Sequence, residues 1–157
     1  MAIMSQSERS KSTEANEDDE PIAVWPWVDP DGSDTRGGVD RGQDRVLLAS
    51  SQVSWAEVRG HLIELYTVTG EKYGLRGTLT NLERRWAKYG FVRIHNSYLV
   101  SLQNVRELCP TSGGGREVYL RFGSAGGRYR PVSRRRCPEF KQVWINHIEA
   151  QYKKSFR

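Results

Sequence analysis

Turn residues punctuate residues 45–132 so closely that a helical domain has no room to form there. Gly60 and Gly70 sit in R-G and T-G breaks, and two glycine-rich segments, TSGGG and GSAGG, cut the chain again further on. Between these breaks lie short runs of alternating apolar and polar residues, the period of a half-buried strand. Strands are predicted over 45–48, 52–58, 61–67, 72–75, 90–95, 104–108, 116–122 and 128–132. One helix interrupts them. Thr80 and Glu83 have the T-x-x-E spacing of a capping box, Leu79, Leu82 and Trp86 point inward, and Gly90 stands where a helix C-terminus takes a left-handed residue. Residues 97–100 are read as one short turn, because Asn96 and Ser97 favour turns and helix starts. Towards the end the period changes. Phe140, Val143, Trp144, His147, Ile148 and Gln151 recur at helical spacing, with Lys153 and Lys154 near the C-terminus where they suit the dipole. This terminal amphipathic helix is expected to pack its stripe on the sheets, the alternative being a partner surface.

At 157 residues and 18.0 kDa the chain holds one domain of ordinary size plus a tail. Residues 1–20 are poor in apolar groups and rich in Ser, Glu, Lys and Asp, so they are expected to form a disordered acidic tail. Residues 21–44 join a short apolar stretch, 22–28, to a loop of Pro, Gly and Asp. Pro26 bars that stretch from the middle of a sheet but not from its edge, which makes it an edge strand, a linker or a docking peptide. The folded domain is expected over 45–157. No run approaches the roughly 20 apolar residues of a membrane span. Acids stand at the N-terminus where a secretory signal would be apolar, so the expected location is cytoplasmic, with Cys109 and Cys137 reduced.

The net charge of +5 hides a split. Residues 1–45 carry five Lys/Arg against eleven Asp/Glu, a balance of −6 that leaves +11 for residues 46–157. A basic domain attracts polyanions, of which nucleic acid is the commonest and an anionic membrane the other.

Catalysis has no visible seat. The two cysteines lie far apart, each followed by proline, without the C-x-x-C pairs of a zinc site, so no metal ligand set is assigned. Cys137 follows three arginines, a setting that can activate a thiol; the plainer reading is an inert cysteine at a helix start. TSGGG and GSAGG lack the lysine or the helix of a phosphate cradle, and no G-x-S-x-G elbow or Walker loop is present. No catalytic residue, metal or cofactor is therefore assigned.

The segment FVRIHNSYLVS, residues 91–101, sets polar groups on an apolar frame. Alternation along a strand puts Val92 and Ile94 on one face and Arg93 and His95 on the other. An asparagine at the rim, Asn96, either caps the turn or reads a base edge, most favourably adenine, while Arg93 and His95 meet phosphates.

R-I-H-N-S-Y-L-V-S resembles the hallmark of the LytTR family of bacterial DNA-binding domains, F-x-R-x-H-x-S-(aromatic)-(aliphatic)-V-N, with Ser101 where the family usually has Asn. V-S-W-A-E-V, T-L-T-N-L-E and R-P-V-S-R-R-R are similar to further elements of that family, in the same order, over about residues 45–145. The resemblance implies a mainly β fold of small antiparallel sheets with two short helices. It also implies a regulator that enters successive major grooves of double-stranded DNA by loops, typically on tandem half-sites, with self-association there. Carried over by position, His61, Asn96 and Arg134 would meet bases and Arg93, His95 and Ser97 the DNA backbone. Arg135 and Arg136 are further candidates for phosphate, since such contacts make up half or more of a DNA interface. The family's domain often follows a phosphoacceptor receiver, for which this chain is too short on the expectation of a roughly 100-residue domain. Two other readings stay open. One is an RNA- or single-strand-binding module stacking bases on Tyr98, Tyr119 and Tyr129. The other is a protein-interaction domain using residues 22–28 or the terminal helix.

The charge split generates a test of its own. A mobile anionic arm competes with phosphate for a basic face, so deleting residues 1–20 should tighten binding to random duplex at low salt. Unchanged affinity in that titration identifies the arm as a solubilising tail.

Overall fold

The computed structural model describes residues 20–28, 38–39 and 45–155. Of the expected tail only Glu20 falls within these residues, and the greater part of the loop after residue 28 lies outside them. Eleven strands are described: β1 Pro21–Val28, β2 Gly38–Val39, β3 Val46–Ala49, β4 Val53–Arg59, β5 Leu62–Thr67, β6 Lys72–Arg76, β7 Phe91–His95, β8 Tyr98–Ser101, β9 Val105–Pro110, β10 Arg116–Arg121 and β11 Gly127–Val132. Two α-helices accompany them, α1 Leu79–Trp86 and α2 Cys137–Ser155, with single 3-10 turns at 50–52, 87–89 and 102–104. The fold is mainly β. The larger sheet runs β2-β1-β6-β5-β4-β8-β7 with β3 paired to β1, the smaller runs β11-β10-β9, and the pairings are antiparallel.

The larger sheet is buried on both faces, which explains the one strand that alternation misses. Residues 97–100 are not a turn: β8 pairs with β4 and β7, and its consecutive apolar residues serve different cores. Leu99 joins Val53, Ala56, Ile63, Leu65 and Phe91 against α1, whereas Val100 joins Trp55, Tyr66 and Ile94 against the smaller sheet and Phe140 of α2. A strand covered on both sides reads as a continuous apolar run, without the period of two. β4 shifts register between Val53 and Trp55, and the bulge lets Val53 and Ala56 serve the first core while Trp55 serves the second.

Helix α1 has eight residues, too few to hold together by itself. It is retained because Leu79, Leu82 and Trp86 are buried. Its N-cap is Thr78, whose hydroxyl accepts from the Asn81 amide at 3.1 Å, two residues earlier than the T-x-x-E spacing suggests. Thr80 and Glu83 lie within the helix and face Arg93 instead. Gly90, at φ 87, supplies the left-handed residue that ends this segment.

Residues 22–28 form no detached peptide. Ile22 and Val24 are buried in the first core. Pro21 to Val24 pair with β3, Trp25 and Pro26 with β6, and Trp27 and Val28 with β2. Each stretch of β1 thus pairs with a single neighbour, so the amide that Pro26 lacks interrupts no central ladder. Glu20 is tied down as well: its carboxylate accepts from Trp86 Nε1 at 2.9 Å and Arg85 Nε at 2.6 Å, and its amide donates to Ser50 Oγ at 3.0 Å. Among the described residues, contacts with the first core and with α1 thus extend back to Glu20.

Helix α2 packs through its first half. Phe140 is buried and Val143 and Trp144 lie against the second core, whereas Ile148 is 45% exposed and Gln151 is exposed. The expected stripe on the sheets is met only as far as the sheets reach. No helix among the described residues is long and apolar enough to cross a membrane.

A fragment comprising residues 43–157 should be markedly less stable than the whole chain. It loses the burial of Ile22 and Val24, each worth about 1.5–3 kcal/mol, and leaves the Trp86 indole without its carboxylate. Urea denaturation of the two proteins measures the difference; equal midpoints would show that β1 contributes nothing.

Candidate nucleic-acid interface

The site is built where the two sheets meet. Arg130 on β11 reaches to β4, where its Nε donates to Glu57 Oε1 at 2.8 Å, and the same oxygen accepts from Trp55 Nε1 at 2.9 Å. The Arg130 guanidinium lies 5.2 Å from the Trp55 ring, 5.6 Å from Tyr66 and 5.8 Å from Tyr98. Beneath it Trp55 and Tyr66 stack at 4.2 Å. Burial by itself would lower the Arg130 pKa, but the Glu57 carboxylate outweighs it and the net shift is upward. A second buried acid, Glu64, accepts from Arg59 Nη2 at 2.9 Å and from the Tyr66 hydroxyl at 2.8 Å, with Lys72 Nζ forming an ion pair at 3.3 Å. Burial, then the carboxylates of Glu57 and Glu64, push the Tyr66 phenol far above its ordinary range, so it stays protonated as a donor.

Three residues after Arg130 the chain meets the larger sheet again. The Ser133 amide donates to the carbonyl of Ile94 at 2.8 Å, beside the bulge that interrupts the β7–β8 register. Ser133 also starts α2: its hydroxyl and carbonyl accept from the Arg136 amide at 3.2 and 3.1 Å, and its carbonyl from the Cys137 amide at 3.0 Å. This short segment brings the backbone just before Arg134 to the end of β7. Arg134 is exposed and donates one bond, to the Gly113 carbonyl at 3.1 Å. Arg135 is exposed, whereas Arg136 is partly covered and its Nε is buried.

Asn96 and Ser97 form the two-residue connection between β7 and β8. The turn is held by backbone groups: Ser97 donates its amide to His95 Nδ1 at 3.1 Å, and its carbonyl accepts from the Val58 amide at 3.1 Å. Because Nδ1 accepts, the neutral His95 ring carries its proton on Nε2, free to donate outward. The Asn96 side chain is exposed and takes no part in these bonds. Arg93 is placed differently. Its side chain is only 12% exposed, and it donates to the carbonyls of His95 and Asn96 and to Glu83 and Thr80 of α1.

His61 occupies the second position of the two-residue β4–β5 loop, which closes because Gly60 takes φ 63, a region open to glycine. It is exposed, beside an open cleft lined also by Gly77, Thr78, Thr80 and Arg93. His61 thus shares a cleft with Arg93, whose guanidinium holds the Asn96 carbonyl, while the Arg134 side chain bonds the 113–114 loop and is linked to this group only through the Ser133 backbone. Alternation could not find this grouping, since its links are a strand-end carbonyl and an amide 39 residues later.

The aromatic residues considered for base stacking are largely engaged. The Tyr98 ring meets His95 at 5.1 Å as well as Arg130, and Tyr119 and Tyr129 meet each other at 4.7 Å across the smaller sheet. The Cys109 thiol is pushed up by desolvation and by the Glu107 and Glu117 carboxylates, the reverse of an activated nucleophile. Cys137 lies partly buried against the second core. No cluster of three or more His, Cys, Asp or Glu able to hold a metal occurs among the described residues.

Replacing Arg130 with alanine should destabilise the protein by about 3 kcal/mol, because it leaves the desolvated Glu57 with the more distant Arg59 guanidinium, 3.9 Å away, as its cation. Urea denaturation reads this directly; a loss below about 1 kcal/mol would mean that solvent already screens the pair.

The LytTr DNA-binding domain family matches residues 43–145. The chain is 27% identical over 103 residues to the sensory transduction protein LytT of Enterococcus faecalis, an alignment that covers 65% of this chain and 40% of that protein. The structure aligns with a solved LytTr DNA-binding domain from Bacillus cereus at a TM-score of 0.56 and 16% identity, covering 78% of this chain and 96% of the other.

Proposed function

Since the chain belongs to the LytTr DNA-binding domain family, a non-catalytic family found in response-regulator transcription factors, we propose that it is a transcriptional regulator that reads specific duplex sites through loops in the major groove. In this reading His61, Asn96 and Arg134 contact bases, and His95, Ser97, Arg135 and Arg136 contact the sugar–phosphate backbone. The observation that supports it is the bond from the Ser133 amide to the Ile94 carbonyl, 2.8 Å long, which brings the backbone just before Arg134 to the end of the strand that leads into Asn96. Asparagine offers the paired donor and acceptor that match adenine, and arginine the fork that matches guanine. Loops at strand ends suit this work, because a packed sheet positions them while their side chains stay adaptable. Tandem half-sites, with two copies of the chain side by side, complete the proposal.

Selection of bound fragments from random duplex should yield one enriched motif; enrichment of unpaired strands instead would favour a single-strand-binding module. On the selected site Asn96→Ala should cost roughly 1–3 kcal/mol and relax choice at one base pair, with the salt slope almost untouched. Arg134→Ala should lose choice and also reduce the magnitude of the slope by about one, because the guanidinium carries charge as well as a fork. A folded Asn96→Ala variant that keeps the wild-type ratio of selected to random binding would remove Asn96 from the base-reading set.

A further inference from the structure

We propose that Arg93 is a positioning residue that fixes the direction of the Asn96 side chain and takes no phosphate itself. This rests on the reading of Asn96 as a base contact. An arginine has five N–H donors, and four of those on Arg93 are engaged. Nε donates to the His95 carbonyl at 2.9 Å and Nη2 to the Asn96 carbonyl at 2.6 Å. Nη1 donates to Glu83 Oε1 at 3.1 Å and Thr80 Oγ1 at 3.3 Å. With its side chain 12% exposed, Arg93 has one N–H left, on Nη2, and any fuller grip on a phosphate would cost it the carbonyls or the carboxylate.

The two carbonyls it holds are those of the peptide groups on either side of the Asn96 Cα. Each peptide group is planar, so fixing both planes fixes φ and ψ of Asn96 and with them the Cα–Cβ direction. Beyond the bond of the Ser97 amide to His95 Nδ1, the turn has little else to supply this control: Asn96 and Ser97 lack the positive φ of the preferred hairpin turns, and the neighbouring register is broken between Arg93 and His95. Glu83 and Thr80 anchor the guanidinium from α1, so the helix is braced against the turn. Their T-x-x-E spacing, which leaves the helix cap to Thr78, acquires a purpose in that brace. Lysine could keep the charge at residue 93, but its single ammonium lacks the planar fork that spans two carbonyls and a carboxylate.

The experiment measures affinity for the duplex selected by the wild-type chain and for random duplex, over a range of salt, with thermal unfolding of each variant as a check. Arg93→Lys should lower the ratio of selected to random binding roughly tenfold, within the range of one lost base contact, while leaving the salt slope unchanged. Added to Asn96→Ala it should lower the ratio no further. Should Arg93→Lys fail to fold, Glu83→Ala gives the same test at a half-exposed helix position: the ratio should fall, with no gain on random duplex. A phosphate-binding Arg93 predicts the opposite, with Arg93→Lys nearly silent and Glu83→Ala freeing the guanidinium to tighten both duplexes alike; either result overturns the proposal. If Asn96→Ala lowers the ratio but neither of the other variants does, positioning fails and base reading stands. If Asn96→Ala leaves the ratio intact, base reading fails and the positioning role falls with it.

Discussion

The bond between Arg130 and Glu57 sets how the two sheets register on each other. Apolar packing fills the space between them with Trp55, Tyr66, Val118, Leu120, Val132 and Phe140, but such packing has no direction of its own. A charged hydrogen bond of 2.8 Å inside a wall of three aromatic rings does have direction, and it joins β11 to β4 at one place. Ser133 and Arg134 follow the end of β11, within four residues of Arg130. The bond from Ser133 to Ile94 closes the same join between the sheets a few residues further on.

The same economy governs the rest of the basic residues. A formal excess of +11 in residues 46–157 suggests a broad cationic surface. Arg59, Lys72, Arg85, Arg93 and Arg130 are, however, paired with Glu20, Glu57, Glu64 and Glu83, and serve the fold. Their charge still contributes to the long-range field, which draws a polyanion in. Other polar groups stay in the open, among them Arg134, Arg135 and the neutral Asn96, and in the proposed reading short-range contact falls to these.

The family match begins at residue 43, yet the hydrophobic core begins at Ile22. β1 closes the first core beside α1, and Glu20 binds both the Trp86 indole and Arg85 at the far end of that helix. Since α1 also supplies the anchors for Arg93, the strand that precedes the matched region supports the turn that carries Asn96. This is a mechanical link between an added element and the proposed reading surface.

What the sequence determined by itself was local: the turns at Gly60 and Gly70, the strand periods, the apolar face of α1, the left-handed Gly90, and the segment around Asn96 that marks the family. These depend on steric limits and on neighbours a few residues apart, so they are written in short stretches. The strand β8 was hidden because burial on both faces erases alternation, and β1 was left open between edge strand, linker and docking peptide because Pro26 is tolerated only through pairings decided elsewhere in the chain. The partners of Arg93, Thr80 and Glu83 were decided by tertiary structure alone. Charge and spacing describe what a side chain can do, but which of several partners it takes depends on what the fold sets within about 3 Å of it. For Arg93 the fold sets two carbonyls and a carboxylate there.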